Sequence, residues 1–204
     1  MKKIILIVIL AIALLVFIFF PDGEKEIENI GSTGTSIIAF GNSLVEGVGS
    51  TGRQDFVSIL SERIDEDIIN LGVSGNTTAD GLKRVQSVVE LNPKIVIVLL
   101  GGNDAIRNVS AEETFQNLRE IIDTIHDRGS AVILVGIQRG ILRDSNKKEF
   151  KKLAEELNTG FVPDILDDLF GNSSLMSDPI HPNNAGYAII ADRIEPVLRE
   201  ILEL

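Results

Sequence analysis

A serine, a histidine and an aspartate stand in this sequence where they could share one reaction. Ser43 lies in Phe40-Gly41-Asn42-Ser43-Leu44, at a glycine turn that closes a short apolar run. Asp178 and His181 lie three residues apart in Asp178-Pro179-Ile180-His181-Pro182, close enough for a carboxylate–imidazole hydrogen bond. A serine hydroxyl is a weak nucleophile and needs a base to take its proton as it attacks. Imidazole suits that task near neutral pH. A carboxylate on its other nitrogen fixes the tautomer and stabilises the cation. Acyl transfer also needs donors facing the oxygen that becomes negative. Gly75, in Ser74-Gly75-Asn76-Thr77, can bring a bare N–H close to a ligand because it has no Cβ. Asn103, in Gly101-Gly102-Asn103-Asp104, offers a side-chain amide. The other histidine, His126, falls near the C-terminal end of a helical stretch, where a cation is mildly favourable, and reads as structural.

These residues fall in the loops of an alternating pattern. β-rich apolar runs at 37–40, 68–71, 94–100, 131–137 and 160–163 predict strands. Amphipathic stretches at 54–66, 79–91, 111–128, 146–157 and 183–204 predict helices, the last kinked at Pro196. Lys94–Leu100 is apolar on both faces, as a central parallel strand must be. The alternation predicts an α/β domain: a parallel five-stranded sheet covered by helices on both faces, with right-handed crossovers. In such sheets ligands sit beyond the carboxyl ends of the strands. That points to loops 41–53, 72–78, 101–110, 138–146 and 171–183, and four of these five hold the residues above.

Taken in order, the four segments quoted above resemble the four sequence blocks of the SGNH/GDSL hydrolases. The nearest resemblance is to the bacterial arylesterase/thioesterase/lysophospholipase branch, and it covers about residues 36–204. The resemblance implies a three-layer α/β/α sandwich, flavodoxin-like, and ester hydrolysis with no metal and no cofactor. It makes Ser43 the nucleophile and, through its N–H, the first oxyanion-hole donor. The Gly75 N–H and the Asn103 amide complete the hole, His181 is the base, and Asp178 orients it. The implied substrate is a small acyl ester, thioester or lysophospholipid. One departure is visible: the family usually has Asp before the serine, and here it is Asn42. A carbohydrate O-acetylesterase acting on cell-wall polymers is the alternative enzyme reading. A non-catalytic binding module on the same fold is the third, with Asn42 as its only support.

Other residues have plainer readings. Gly72 competes with Gly75 as the donor glycine, and Asp104 is expected to cap a helix. Asp164, Asp167 and Asp168 have no histidine beside them and read as a solvated helix face rather than a metal site. Gly47-Val48-Gly49-Ser50-Thr51-Gly52 matches G-x-G-x-x-G. A dinucleotide fingerprint follows its strand directly, whereas six residues separate this run from Phe40 and no acidic residue ends the second strand. These glycines are expected to let loop 45–53 shape one wall of the cleft. Arg107, Gln138, Arg139, Ile141 and Leu142 lie in loops that could set specificity.

Ahead of this domain, Ile4 to Phe20 is an unbroken apolar run of 17 residues after Met1-Lys2-Lys3. As a helix it would measure about 25 Å, at the short end of the spanning range. It is longer than a usual signal h-region and lacks a small-x-small cleavage site, so an uncleaved transmembrane anchor is preferred to a cleaved signal. Lys2 and Lys3 should stay cytoplasmic, placing the domain outside. The division is then 1–20 anchor, 21–35 polar linker and 36–204 hydrolase domain, with membrane contact through residues 4–20. The formal net charge of −11 repels phosphate backbones and argues against nucleic acid as a partner. The chain has no cysteine, which rules out disulfides, thiolate metal sites and a cysteine nucleophile.

Overall fold

Valine and isoleucine dominate three of the apolar runs, and their branched side chains favour extended backbone that packs on both faces. In the computed structural model of the chain, which describes residues 26–137 and 143–204, these runs form the middle of a five-stranded sheet. The strands are β1 (Ser36–Gly41), β2 (Ile68–Gly72), β3 (Pro93–Leu99), β4 (Ala131–Val135) and β5 (Gly160–Val162). All pair in parallel, in the order β2-β1-β3-β4-β5. That is the flavodoxin-like order, whose switch point lies between β1 and β3. Every residue of β4 is buried, and so is every residue of β3 except Lys94. Edge strand β2 exposes Ile69 and Asn70.

Helices cover both faces. Phe56–Ile64 and Asn184–Leu202 pack together on one side, and Thr78–Val89, Ala111–His126 and Arg143–Glu156 lie on the other. Each of the first four begins at a polar cap. Asp55, Thr77, Ser110 and Asn183 each accept the backbone N–H of the third residue of their helix. Thr77 and Asp80 form a reciprocal capping box.

Several expectations are corrected. Two one-turn helices, Ser43–Glu46 and Gly102–Ile106, were not expected. Asp164, Asp167 and Asp168 lie in a run of turns, not on a helix: Asp168 is left-handed (φ 58°), and Arg193 donates to the carbonyls of Asp164, Ile165 and Asp167. Burial pushes the His126 pKa down and its Nε2 has no partner among the described residues, so the half-buried ring disfavours the cation that a helix end would favour. The polar linker 21–35 is not wholly separate from the domain: from Glu26 onward it is seated on it. Glu28 N–H bonds the Asn158 carbonyl (2.7 Å), Asn29 Nδ2 bonds those of His126 (3.0 Å) and Ser130 (3.2 Å), and Thr35 N–H bonds that of Asn92 (2.8 Å). Ile27 and Ile30 pack against the core. All these acceptors precede β3, β4 or β5 or end the helix before them, so the segment lies on the rim opposite Ser43. The apolar run at 4–20 lies outside the described residues; among those described, no helix is long and apolar enough to cross a membrane.

Glycine holds the first strand ends close to their helix. At Gly72 a Cβ would run into the backbone of Glu46, in the short helix that starts at Ser43. Gly72→Ala is expected to cost about 1–3 kcal/mol through this overpacking. The melting temperature should fall by about 2–4 °C for each kcal/mol. An unchanged melting temperature would mean that this packing is looser than described.

Candidate active site

Asn42 caps the one-turn helix Ser43–Glu46, its Oδ1 accepting the Leu44 N–H at 3.0 Å. The residue is only 3% exposed. An amide thus fills the position where the family usually has a carboxylate, and the turn forms with it. The cap fixes Ser43 directly beyond β1, with its N–H at the first helical position, where no intrahelical acceptor exists.

His181 reaches the serine from the far end of the chain. Its Nε2 lies 3.0 Å from Ser43 Oγ, and its Nδ1 lies 2.7 Å from Asp178 Oδ2. An ionised carboxylate only accepts, so the imidazole proton sits on Nδ1 and the Nε2 lone pair faces the serine hydroxyl. The loop is rigidly folded around this contact. Asp178 Oδ1 accepts the N–H groups of Ile180 (2.7 Å) and His181 (2.8 Å). The His181 carbonyl accepts the N–H of Ser177 (2.9 Å) and its hydroxyl (3.1 Å). The hydrogen bond from the imidazole, then those from the two backbone N–H groups, hold the Asp178 carboxyl below its ordinary pKa.

The G-x-G-x-x-G run braces this loop. A Cβ on Gly49 (φ 96°) would run into Ser177 and the Pro182 carbonyl. Tyr187 Oη donates to the Val48 carbonyl (2.8 Å), and Asn184 Oδ1 accepts the Thr51 N–H (2.9 Å). The glycines allow close packing against the histidine loop, which sets loop 45–53 beside His181.

Gly75 and Asn103 are held together by the residue between them in space. Asn103 Nδ2 donates to the Asn76 carbonyl at 2.9 Å, and its second amide hydrogen makes no bond among the described residues. Gly75 is left-handed (φ 79°), and its N–H likewise makes no hydrogen bond among the described residues. Gly72, the competing glycine, has its N–H engaged by Asn70 Oδ1 (2.9 Å). Arg107 donates to the Gly75 carbonyl (2.8 Å), which ties this loop to the end of helix Gly102–Ile106. Glu46 accepts the Ser74 N–H at 2.6 Å, which ties it to the serine helix. Asp104, 1% exposed, accepts the Thr78 N–H (3.0 Å) and hydroxyl (2.5 Å). It caps a helix, as expected, but the preceding one rather than its own. Gln138, Arg139, Ile141 and Leu142 lie outside the described residues.

The arrangement can therefore relay a proton from a hydroxyl to an imidazole backed by a carboxylate. It also leaves the Ser43 and Gly75 N–H groups and one Asn103 amide hydrogen without protein acceptors among the described residues. Among those residues no cluster of His, Asp or Glu suits a metal ion. Arg84 is a further group at this rim that sequence reading passes over. Its signal was an arginine on the buried stripe of its helix, three residues after Gly81 and four before Val88.

Known proteins resemble this chain in sequence and in fold. Residues 39–189 match the GDSL-like lipase/acylhydrolase family. The chain is 28% identical to esterase TesA of Pseudomonas aeruginosa over 82% of its own length and 89% of that protein's. It is 25% identical to thioesterase 1/protease 1/lysophospholipase L1 of Escherichia coli strain K12, over 82% of this chain and 85% of that one. Among solved structures, TesA superposes with a TM-score of 0.77 at 27% identity, covering 82% of this chain and 99% of that one. AlinE4, an SGNH-hydrolase family esterase, superposes with a TM-score of 0.66 at 30% identity, covering 84% and 99%.

Proposed function

The chain belongs to the GDSL-like lipase/acylhydrolase family and is a carboxylic ester hydrolase, and within that class we propose that it works through an acyl-Ser43 intermediate. The observation that carries this reading is the contact series Asp178–His181–Ser43, at 2.7 and 3.0 Å. Ser43 Oγ attacks the acyl carbonyl as its proton passes to His181 Nε2. The carbonyl oxygen becomes negative and takes hydrogen bonds from the Ser43 and Gly75 N–H groups and the Asn103 amide. The imidazolium then protonates the leaving alcohol or thiol. Water, deprotonated by the same imidazole, attacks the acyl-serine and releases the acid. Asp178 stays ionised throughout, favouring the imidazolium by charge and by fixed geometry.

The substrate class is a small acyl ester, thioester or lysophospholipid. Two apolar side chains exposed near the rim support an acyl group there: Val73, 43% exposed, just after β2, and Ile106, 47% exposed, at the end of helix Gly102–Ile106. Asn103→Ala removes one of three donors to the developing oxyanion, and kcat on p-nitrophenyl butyrate is expected to fall about 10²–10³-fold. A fall of less than threefold would take Asn103 out of the hole.

We propose further that residues 4–20 anchor the chain and that the domain lies outside the cytoplasm. The full-length protein should then stay with membranes through carbonate extraction, whereas complete release into the medium would favour a cleaved signal. The docking of residues 26–35 also favours the second substrate reading, an O-acetylated cell-wall polymer. It places Glu26, the first described residue after the proposed anchor, on the rim opposite Ser43, which supports a site that faces away from the bilayer. Activity on acetylated glycan, set against lysophospholipid, separates the two.

A further inference from the structure

We propose that Arg84 is the positioning residue of the oxyanion hole, a role that rests on the serine-esterase reading above. Arg84 projects from helix Thr78–Val89 and uses one edge of its guanidinium as a clamp on three chain segments. Nε donates to Asn76 Oδ1 at 2.8 Å. Nη2 donates to the carbonyls of Gly41 (2.8 Å) and Leu71 (3.0 Å). The guanidinium carbon lies 4.5 Å from the centroid of the buried Phe40 ring, which fixes the plane of the fork.

Each of these acceptors belongs to a piece of the proposed hole. Gly41 precedes Asn42 and Ser43 and also accepts the Val73 N–H (3.0 Å), so its peptide is where the serine turn and the Gly75 loop meet. Leu71 lies at the end of β2, from which that loop departs. Asn76 follows Gly75 directly, and its carbonyl is the acceptor that orients the Asn103 amide. Arg84 thereby reaches both remaining donors through one residue: it holds the Asn76 side chain while the Asn76 backbone holds Asn103.

The clamp is built for aim rather than for charge pairing. All three of its acceptors are neutral, and Arg84 forms no ion pair among the described residues. Burial pushes its pKa down, in keeping with a cation drawn partly out of water. A planar fork serves acceptors in fixed directions, which a lysine ammonium does not. Oxyanion donors are effective only when set in advance within a few tenths of an ångström, and a misplacement near 1 Å can cost about 10²-fold.

The test is a kinetic cycle on the full-length protein with p-nitrophenyl butyrate. Arg84→Met is expected to lower kcat about 10–100-fold, with KM changed by less than about threefold. In an Asn103→Ala background the same substitution should cost much less than it does alone, because the two act on one donor set. Arg84→Lys should restore little. A kcat for Arg84→Met within twofold of the parent, or losses that multiply fully with those of Asn103→Ala, overturns the proposal. If Arg84→Met does not fold, Asn76→Ala decides. It cuts the Nε contact but keeps the backbone carbonyl, and a kcat lowered at unchanged KM supports the clamp, whereas an unchanged kcat overturns it. Ser43→Ala run alongside separates the two levels: if it retains activity, the serine mechanism itself has failed, and if it is inactive the cycle reports on Arg84 alone.

Discussion

Ser43→Ala is expected to lower kcat on p-nitrophenyl butyrate by about 10⁴–10⁶-fold, as loss of the nucleophile does in hydrolases of this chemistry. The size follows from the role: without Oγ no acyl-enzyme forms, and only direct attack by water at a prearranged oxyanion site remains. The fold should be untouched. Among the described residues the Ser43 hydroxyl bonds only His181 Nε2, while the cap that shapes the turn runs from Asn42 to the Leu44 N–H. A variant with the parental melting temperature and parental turnover would remove the serine mechanism. The non-catalytic reading predicts something else, namely that the parent is as inactive as the variant.

Asp178→Asn is the second large effect, expected at about 10⁴-fold in kcat. The geometry specifies why. Oδ1 accepts two backbone N–H groups, from Ile180 and His181, so an asparagine must put its carbonyl oxygen there to keep both. Its NH₂ then faces His181 Nδ1, where the carboxylate oxygen stood at 2.7 Å. A donor at that place forces the proton onto Nε2. The imidazole then offers Ser43 a hydrogen instead of a lone pair and cannot take up the serine proton. The loop should still close, because the contacts of Ser177 and of Gly49 to it do not involve the Asp178 side chain. The loss should therefore appear without a fall in melting temperature, and partial recovery above the imidazole pKa is not expected, since deprotonation does not change the tautomer. Activity within tenfold of the parent would show that Asp178 does not set the tautomer.

The sheet was legible because its central strands carry no compromise. β3 and β4 are buried on both faces and read as continuous apolar runs bounded by Pro93 and by Gly101 and Gly129. The loops that hold Ser43, Gly75, Asn103 and His181 were legible from topology, because carboxyl ends of parallel strands gather on one rim. What escaped was local or long-range in a particular way. The helices Ser43–Glu46 and Gly102–Ile106 are single turns, too short for any hydrophobic period to register. The seat of residues 26–35 depends on hydrogen bonds to backbone carbonyls far along the chain, which no side-chain pattern encodes. The Asp164–Asp168 stretch carries acidic residues at helical spacing, yet Arg193 gathers its carbonyls into turns. What separates Gly72 from Gly75 is that the Gly72 N–H is already engaged by Asn70, and that is a fact of the fold and not of the sequence.

Covalent trapping tests the central claim most directly. A fluorophosphonate mimics the tetrahedral intermediate and leaves its phosphonyl group on a serine that an adjacent base has activated. Mass analysis of peptides from the treated full-length protein should find a single adduct on Ser43, formed rapidly, and formed far more slowly when His181 is replaced by alanine. An adduct on a different serine, or an enzyme that remains fully active with Ser43 unmodified, would contradict the account.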